Sequence, residues 1–275
     1  MKVCVFGASG YVGASVYKQL AGIPNIDIVG TYLDDPERFE GLEKLDINQP
    51  ESFSDFFKKE NPDIVIWSVM SGPNEYELTD QGFMHLLTHL TPQTKLIYIS
   101  SDFVFSEGRG PYREDDPISA LPEDHIYSNY TNGKVKAERL INQELTNFTI
   151  LRAGPIYGEN QIGKSDAYTN QLNAQLQLGK SSAFRDDLIR TFVHVEDLAK
   201  VVIELVQNDV TGTYHVGPSK RQSFYQFMQL TAERLGYDAS FIEKGSEHEE
   251  ADQEIPKNTS LITDKISKIT NQTFR

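Results

Sequence analysis

The opening of the chain, Val3-Cys4-Val5-Phe6-Gly7-Ala8-Ser9-Gly10-Tyr11-Val12-Gly13, restricts its fold more than any other stretch. A short apolar run ending at a glycine suits a buried parallel strand. Val12, Val16 and Leu20 then repeat every four positions, which predicts a helix with one apolar face. A strand–turn–helix junction of this kind leaves backbone N–H groups free at a helix N-terminus, where the helix dipole favours negative charge. Gly7 permits the sharp turn, Gly10 lets a pyrophosphate approach the backbone, and Gly13 lets the helix pack closely on the strand. The spacing is G-x-x-G-x-x-G rather than G-x-G-x-x-G. The glycines alone therefore say little, and their place between a strand and a helix carries the prediction of a nucleotide site.

The rest of the chain repeats the alternation. Apolar runs at Ile26–Tyr32, Leu42–Ile47, Asp63–Val69, Lys95–Ser100 and Asn147–Arg152 predict five further strands. Helices are expected between them, from Pro50 onward with Phe53, Phe56 and Phe57 as its core face, over 78–90, and over Ser128–Gln143. Such alternation predicts an α/β fold of Rossmann type, a doubly wound parallel sheet with right-handed crossovers. The polar stretch from Gly154 to about Asp187, rich in Gln and Asn, is read as the start of a smaller C-terminal substrate-binding lobe that closes over the ligand. The expected division is 1–153 for the nucleotide-binding domain, with 190–210 returning to it, and 154–189 with 211–275 for the lobe. Within the later half, Thr191–Val195 and Gly212–Val216 look extended, and Val195–Asn208 and Phe224–Leu235 look helical. The stretch from Asp102 to Tyr130, rich in Pro, Gly and acids, is predicted to be irregular, and loops of that length are usually functional.

A net charge of −14 over 275 residues excludes a general affinity for nucleic acid or an anionic membrane surface. Local donors for a small anion remain in Lys164, Arg185, Arg190, Lys220 and Arg221, while 243–254 is acidic. The single cysteine, Cys4, lies in the first strand and is expected in the core. No apolar run reaches membrane-spanning length and no signal peptide is evident, so a cytoplasmic protein is expected. Asp34 and Asp35 follow the second strand slightly late for a ribose-binding acid, and Arg38 could meet a 2′-phosphate, so NAD and NADP both remain open. The six histidines show no metal-ligand spacing; His194 and His215 are read as structural.

Two further features suggest chemistry. Tyr130 and Lys134 stand four apart, on one face of the predicted helix. A phenol titrates near pH 10 and is a poor acid or base at neutrality, but an adjacent ammonium favours its phenolate. Gly133 weakens such a helix by up to about 1 kcal/mol, which implies close packing against another element. The second feature is Ser100-Ser101-Asp102 at the carboxyl end of the fifth strand, the edge at which open parallel sheets bind ligands. A serine hydroxyl there can hydrogen-bond a carbonyl as it becomes an alkoxide.

With these motifs in view, the chain resembles the extended short-chain dehydrogenase/reductases, and most of all their dTDP-4-dehydrorhamnose reductase branch. The likeness runs through the N-terminal turn, Ile97–Phe105, Pro111–Asp115, Tyr130 with Lys134 and Glu138, Leu151–Arg152, Ile156–Gly158, Phe192–Ala199, Gly212–His215 and Ile255–Asn258. It implies a catalytic set of Ser101, Tyr130 and Lys134 and a bound NADP or NAD. Gly7, Ser9, Gly10, Tyr11, Val12 and Gly13 would hold the pyrophosphate, Asp46 and Ile47 would flank the adenine, and Tyr130 and Lys134 would touch the nicotinamide end. The substrate implied is a nucleotide-linked 4-keto sugar, reduced at its ketone, and a homodimer is plausible. Two other activities within the resemblance are an NAD-dependent epimerase or dehydratase (or a reductase of another small ketone) and a non-catalytic NADP-binding regulatory subunit like the beta subunit of methionine adenosyltransferase. The sequence departs from the branch after the fourth strand, where Ser68–Pro73 leads into an abbreviated helix with Thr79 or Asp80 in place of a family asparagine.

Overall fold

The computed structural model describes residues 1–34, 41–245 and 255–275. Six strands succeed one another as β1 (Lys2–Phe6), β2 (Asp27–Tyr32), β3 (Leu42–Lys44), β4 (Ile64–Trp67), β5 (Lys95–Ser101) and β6 (Phe148–Ala153). Short strands follow in the second half: β7 (Ile156–Tyr157), β8 (Ser182–Phe184), β9 (Ile189–Arg190) and β10 (Val193–His194). After them, β11 (Gly212–Val216) pairs with β6, and β12 (Gln222–Ser223) and β13 (Ile242–Lys244) pair with β9 and β8. The main sheet has seven strands in the order β11-β6-β5-β4-β1-β2-β3, and every pair in it is parallel. The order reverses between β1 and β4, and the crevice at the carboxyl edge of such a switch point is where doubly wound sheets bind ligands. Gly212–Val216, placed with the lobe by the sequence division, is the seventh strand of this sheet.

Alternation along each strand sorts side chains into two cores. Val3, Val5, Ile64, Ile66, Ile97, Ile99, Leu151 and Ala153 face helices α1 (Tyr11–Leu20) and α7 (Val195–Gln207). Cys4, Phe6, Val65, Trp67, Leu96, Tyr98 and Ile150 face α2 (Pro50–Glu60) and α5 (Ser128–Glu144). Leu198, Val201, Val202 and Leu205 of α7 are buried, each contributing about 1.5–3 kcal/mol. On the opposite face, Phe6 packs against Phe53, Phe56, Phe57 and Trp67. The helix expected over 78–90 begins earlier, as α3 (Glu75–Leu78), a π-helical turn (Thr79–Phe83) and α4 (Met84–His89). The third strand stops at Lys44, short of the expected Ile47, and the extended stretch after Thr191 is confined to Val193–His194.

The second half has a smaller core of its own. Tyr157, Leu172, Leu176, Phe192, Phe227 and Met228 join α6 (Ala167–Gln177) to α8 (Phe224–Arg234), with the Phe192 and Phe227 rings stacked at 3.8 Å. From Phe105 to Tyr127 the chain has no helix or strand, as expected. It is fastened at one end by Asn132, whose side chain accepts from Leu121 N at 2.7 Å and donates to Leu121 O at 2.9 Å. Asp35, Arg38 and most of the acidic 243–254 stretch lie outside the described residues. Among the described residues no helix is long and apolar enough to cross a membrane.

Candidate functional site

The N-terminal turn divides its glycines by purpose. Gly7 has φ +78, and a Cβ there would stand 3.2 Å from Val69. A Cβ on Gly13 would stand 2.1 Å from the Gly7 carbonyl and 2.6 Å from Ser68 Oγ, so α1 reaches the sheet only because that atom is missing. Gly10 is different: it is exposed, and only the Gly7 carbonyl, at 3.1 Å, limits it from the protein side. Gly7 N and Ala8 N donate to the Thr31 hydroxyl and carbonyl, and Gly10 N donates to Gly7 O at 2.9 Å. The first turn of α1 has no side-chain cap, and no hydrogen bond among the described residues uses the N–H of Tyr11, Val12 or Gly13. Ser9 and Val12 are half-buried beside them. The Tyr11 hydroxyl donates to Gly158 O at 2.6 Å, and Tyr11 O accepts from Asn160 Nδ2 at 2.9 Å, so this turn is tied to the loop after β7. Farther along the crevice, Asp46 accepts from Asn48 N and Gln49 Nε2 at the entrance to α2, and Ile47 is buried under Gly82.

The second part of the site stands at the end of β5. Ser101 is buried and caps a short 3₁₀ turn, accepting from Phe103 N at 3.2 Å. Its hydroxyl donates to Asp102 Oδ1 at 3.4 Å and lies beside the Tyr130 phenol. Lys134 follows one turn along α5, with Nζ 6.0 Å from the Tyr130 ring centre and 5.1 Å from that of Tyr98. The three residues singled out from sequence are therefore brought together. Phe103 lies edge-on to both Tyr130 and Tyr127, and Tyr168 of α6 adds an aromatic ring from the second half.

The electrostatics differ from the expectation that Lys134 lowers the Tyr130 pKa. Burial is the main cause and pushes the phenol above its usual value, the neighbouring Ser101 hydroxyl works against this, and the negative charges of Glu75 and Asp102 add to the rise. The first of those two carboxylates is one that the sequence pattern did not expose. Glu75 Oε1 lies 2.8 Å from Lys134 Nζ, with both side chains buried. Gly133 makes the encounter possible, since a Cβ there would stand 2.6 Å from the Glu75 backbone. This is the close packing that the glycine implied. Thr79, not Asp80, occupies the inward position after the fourth strand, donating to Gly133 O at 3.3 Å, while Asp80 pairs with Lys136.

Other expected donors are already engaged. Arg190 is buried and donates to the carbonyls of Ile189, Lys257 and Pro256, with Nε 3.8 Å from Asp102 Oδ2. Thr259 completes that cluster by donating to Asp102. Lys220 and Arg221 remain exposed and line a groove of about 500 Å³. His194 accepts from Glu196 N as the cap of α7, and His215 lies buried against Ile262 O, in agreement with structural roles.

A family model described as the RmlD substrate binding domain matches residues 87–275, well over half of the chain. The chain belongs to this family. The RmlD family assignment agrees with the extended short-chain dehydrogenase/reductase pattern read from the motifs. Methionine adenosyltransferase 2 subunit beta of Bos taurus is 24% identical over 289 residues, covering 98% of this chain and 82% of that protein. A hypothetical dTDP-4-dehydrorhamnose reductase of Sulfolobus tokodaii superposes with a TM-score of 0.82 at 21% identity, over 100% of this chain and 96% of that one. The dTDP-4-dehydrorhamnose reductase of Bacillus anthracis, solved in complex with NADP, gives 0.77 at 20% identity, over 97% and 92%. Such structural likeness places the RmlD-family chain in the same Rossmann-type fold.

Proposed function

We propose that this protein is an NAD(P)H-dependent reductase of a nucleotide-linked 4-keto sugar, similar to dTDP-4-dehydrorhamnose reductase. The observation that carries the reading is the gathering of Ser101, Tyr130 and Lys134 at the carboxyl edge of β5, with Lys134 Nζ 6.0 Å from the Tyr130 ring centre. The N-terminal turn suits a dinucleotide: three uncapped N–H groups face a position where Gly10 leaves the approach open. Gly7, Ser9, Gly10, Tyr11, Val12 and Gly13 would hold the pyrophosphate, Asp46 and Ile47 the adenine end, and Tyr130 and Lys134 the nicotinamide ribose. Bound there, the nicotinamide would supply hydride to the ketone carbon.

The chain's own part is proton delivery and charge stabilisation. A neutral Tyr130 is the form able to give its phenolic proton to an oxygen gaining negative charge. Ser101, beside that phenol, is placed to donate to the same oxygen. Lys134 supplies the one ammonium beside the phenol and is available to a ribose hydroxyl. Phe103, edge-on to Tyr130 and Tyr127, gives the site an aromatic wall beside the phenol.

A second reading, a non-catalytic nucleotide-binding regulatory subunit, is favoured by the end-to-end likeness to methionine adenosyltransferase subunit beta and by the neutralisation of Lys134. The test is spectrophotometric. Oxidation of added NADPH that depends on a dTDP-4-keto-6-deoxy sugar supports the reductase. Dinucleotide binding without turnover across a panel of keto sugars supports the regulatory subunit and ends the enzymatic reading. Retained NAD with an isomerised product would instead identify an epimerase.

A further inference from the structure

The group at the site with no part in the chemistry above is the acid facing Lys134. Glu75 begins α3, in the segment that follows the fourth strand. Its carboxyl group is fully held: Oε1 lies 2.8 Å from Lys134 Nζ and Oε2 accepts from Ser71 N at 2.7 Å. Relative exposure is 1% for Glu75 and 3% for Lys134, so water screens little between them. The other contacts of Nζ are weak, a 3.4 Å hydrogen bond to Ile99 O and the ring faces of Tyr98 and Tyr130. Glu75 is thus the strongest partner fixing where the ammonium sits.

Tyr130 is faced by charged and titratable groups from every element around it. These are Lys134 on its own helix, Glu75 on α3, Tyr98 and Asp102 from β5 and the turn after it, and Tyr168 on α6. Arg190 stands behind Asp102. Of the cations in this set, only Lys134 borders the phenol directly, and a carboxylate 2.8 Å away turns its single charge into a short dipole whose effect at the phenol is much smaller.

We propose that Glu75 is a positioning residue that anchors the Lys134 ammonium and cancels its charge at the Tyr130 phenol, so that Tyr130 is held protonated and acts as a donor rather than a base. The inference rests on the reading of Tyr130 as the proton donor to a ketone. At neutral pH it favours carbonyl reduction, which uses the phenol as donor, over alcohol oxidation, which needs the phenolate to accept the hydroxyl proton.

The experiment is a titration of the full-length protein without substrate or dinucleotide, using ζ-¹³C tyrosine and assigning Tyr130 by the signal lost in Tyr130→Phe. In the wild type the Tyr130 midpoint is expected above that of a free phenol, about 10. Glu75→Gln, which leaves the ammonium unopposed, is expected to lower the midpoint by at least about one pH unit. The double variant Glu75→Gln/Lys134→Met removes both charges and is expected to titrate with the wild type. A wild-type midpoint below the free-phenol value overturns the proposal, as does an unshifted Glu75→Gln. Should Glu75→Gln fail to fold, the double variant decides, because a midpoint well above the wild type's would mean that Lys134 acts uncancelled. The titration needs no turnover, so an inactive protein showing the shift would sink the reductase reading, and the donor role with it, while the anchoring and charge cancellation by Glu75 stood.

Discussion

Helix α5 carries two buried ion pairs one turn apart, and they are built in opposite ways. At Glu138 the carboxylate accepts from Arg152 Nε and Nη2 and from Ser100 Oγ at 2.6 Å, while Arg152 Nη1 donates to Glu114 O. Every strong donor there is matched to an acceptor, and the network joins α5, β5, β6 and the loop at Glu114. At Lys134 the ammonium has one strong partner, a long bond to a carbonyl and two ring faces. The closed network specifies how the helix lies on the sheet, and the sparse one leaves hydrogen-bonding capacity for a ligand. A buried charge is informative less by its presence than by how many of its valences the protein itself satisfies.

That contrast can be broken at either end. Glu138→Gln strands the Arg152 charge in the core and should reduce stability by about 3–5 kcal/mol, read as a fall in the denaturation midpoint. Tyr130→Phe, at the sparse end, should cut turnover by roughly 10²–10⁴-fold while stability changes by no more than about 0.5 kcal/mol. Equal damage to folding in both variants would erase the distinction. Gly133→Ala lies between the two pairs and forces α3 and α5 apart; a loss of about 1–3 kcal/mol is expected by thermal unfolding, with weakened activity because Glu75 and Lys134 separate.

The smallest effect sharpens the closed end through pH. Burial first, and then the neighbouring Arg152, hold His215 at a pKa of about 3, against an ordinary value near 6.5. Above pH 6.5 the imidazole is neutral in both the folded and the unfolded chain, and no stability is at stake. Below it the unfolded chain takes up a proton that the folded one refuses, so stability falls as the pH drops toward 3. The loss should reach roughly 2 kcal/mol by pH 5, and His215→Gln should flatten the slope in denaturation curves measured between pH 7 and 5.

The comparison also explains what could be read in advance. The N-terminal glycines, the strand-end serine and the Tyr130–Lys134 spacing are local patterns, fixed by the geometry of one turn, one strand end and one helix face. Gly133 announced a close contact because its absent side chain is a local cost that only tertiary packing offsets. The identity of that contact was hidden. Glu75 and Lys134 meet between two helices although they stand more than fifty positions apart in the chain, and the π-helical turn after Glu75's helix alters the phase that a 3.6-residue pattern would follow. The engagement of Arg190, one of the candidate anion donors, was hidden for the same reason, since the carbonyls that hold it come from Pro256 and Lys257. The membership of β11 in the main sheet was likewise invisible, because a five-residue apolar run does not say which edge it will join.

The bond from Tyr11 to Gly158 spans 147 residues, and the one from Asn160 to Tyr11 spans 149. On the ribosome, at about 5–20 residues per second, the first turn of α1 emerges roughly 7–30 s before its partners exist. During that interval β1 can already meet β2 and then β4, so the nascent protein holds a nearly finished sheet edge whose turn into α1 has not been pinned. The two ends of the polypeptide's history meet in one tyrosine, and that half of the molecule is complete only when the later half has been made.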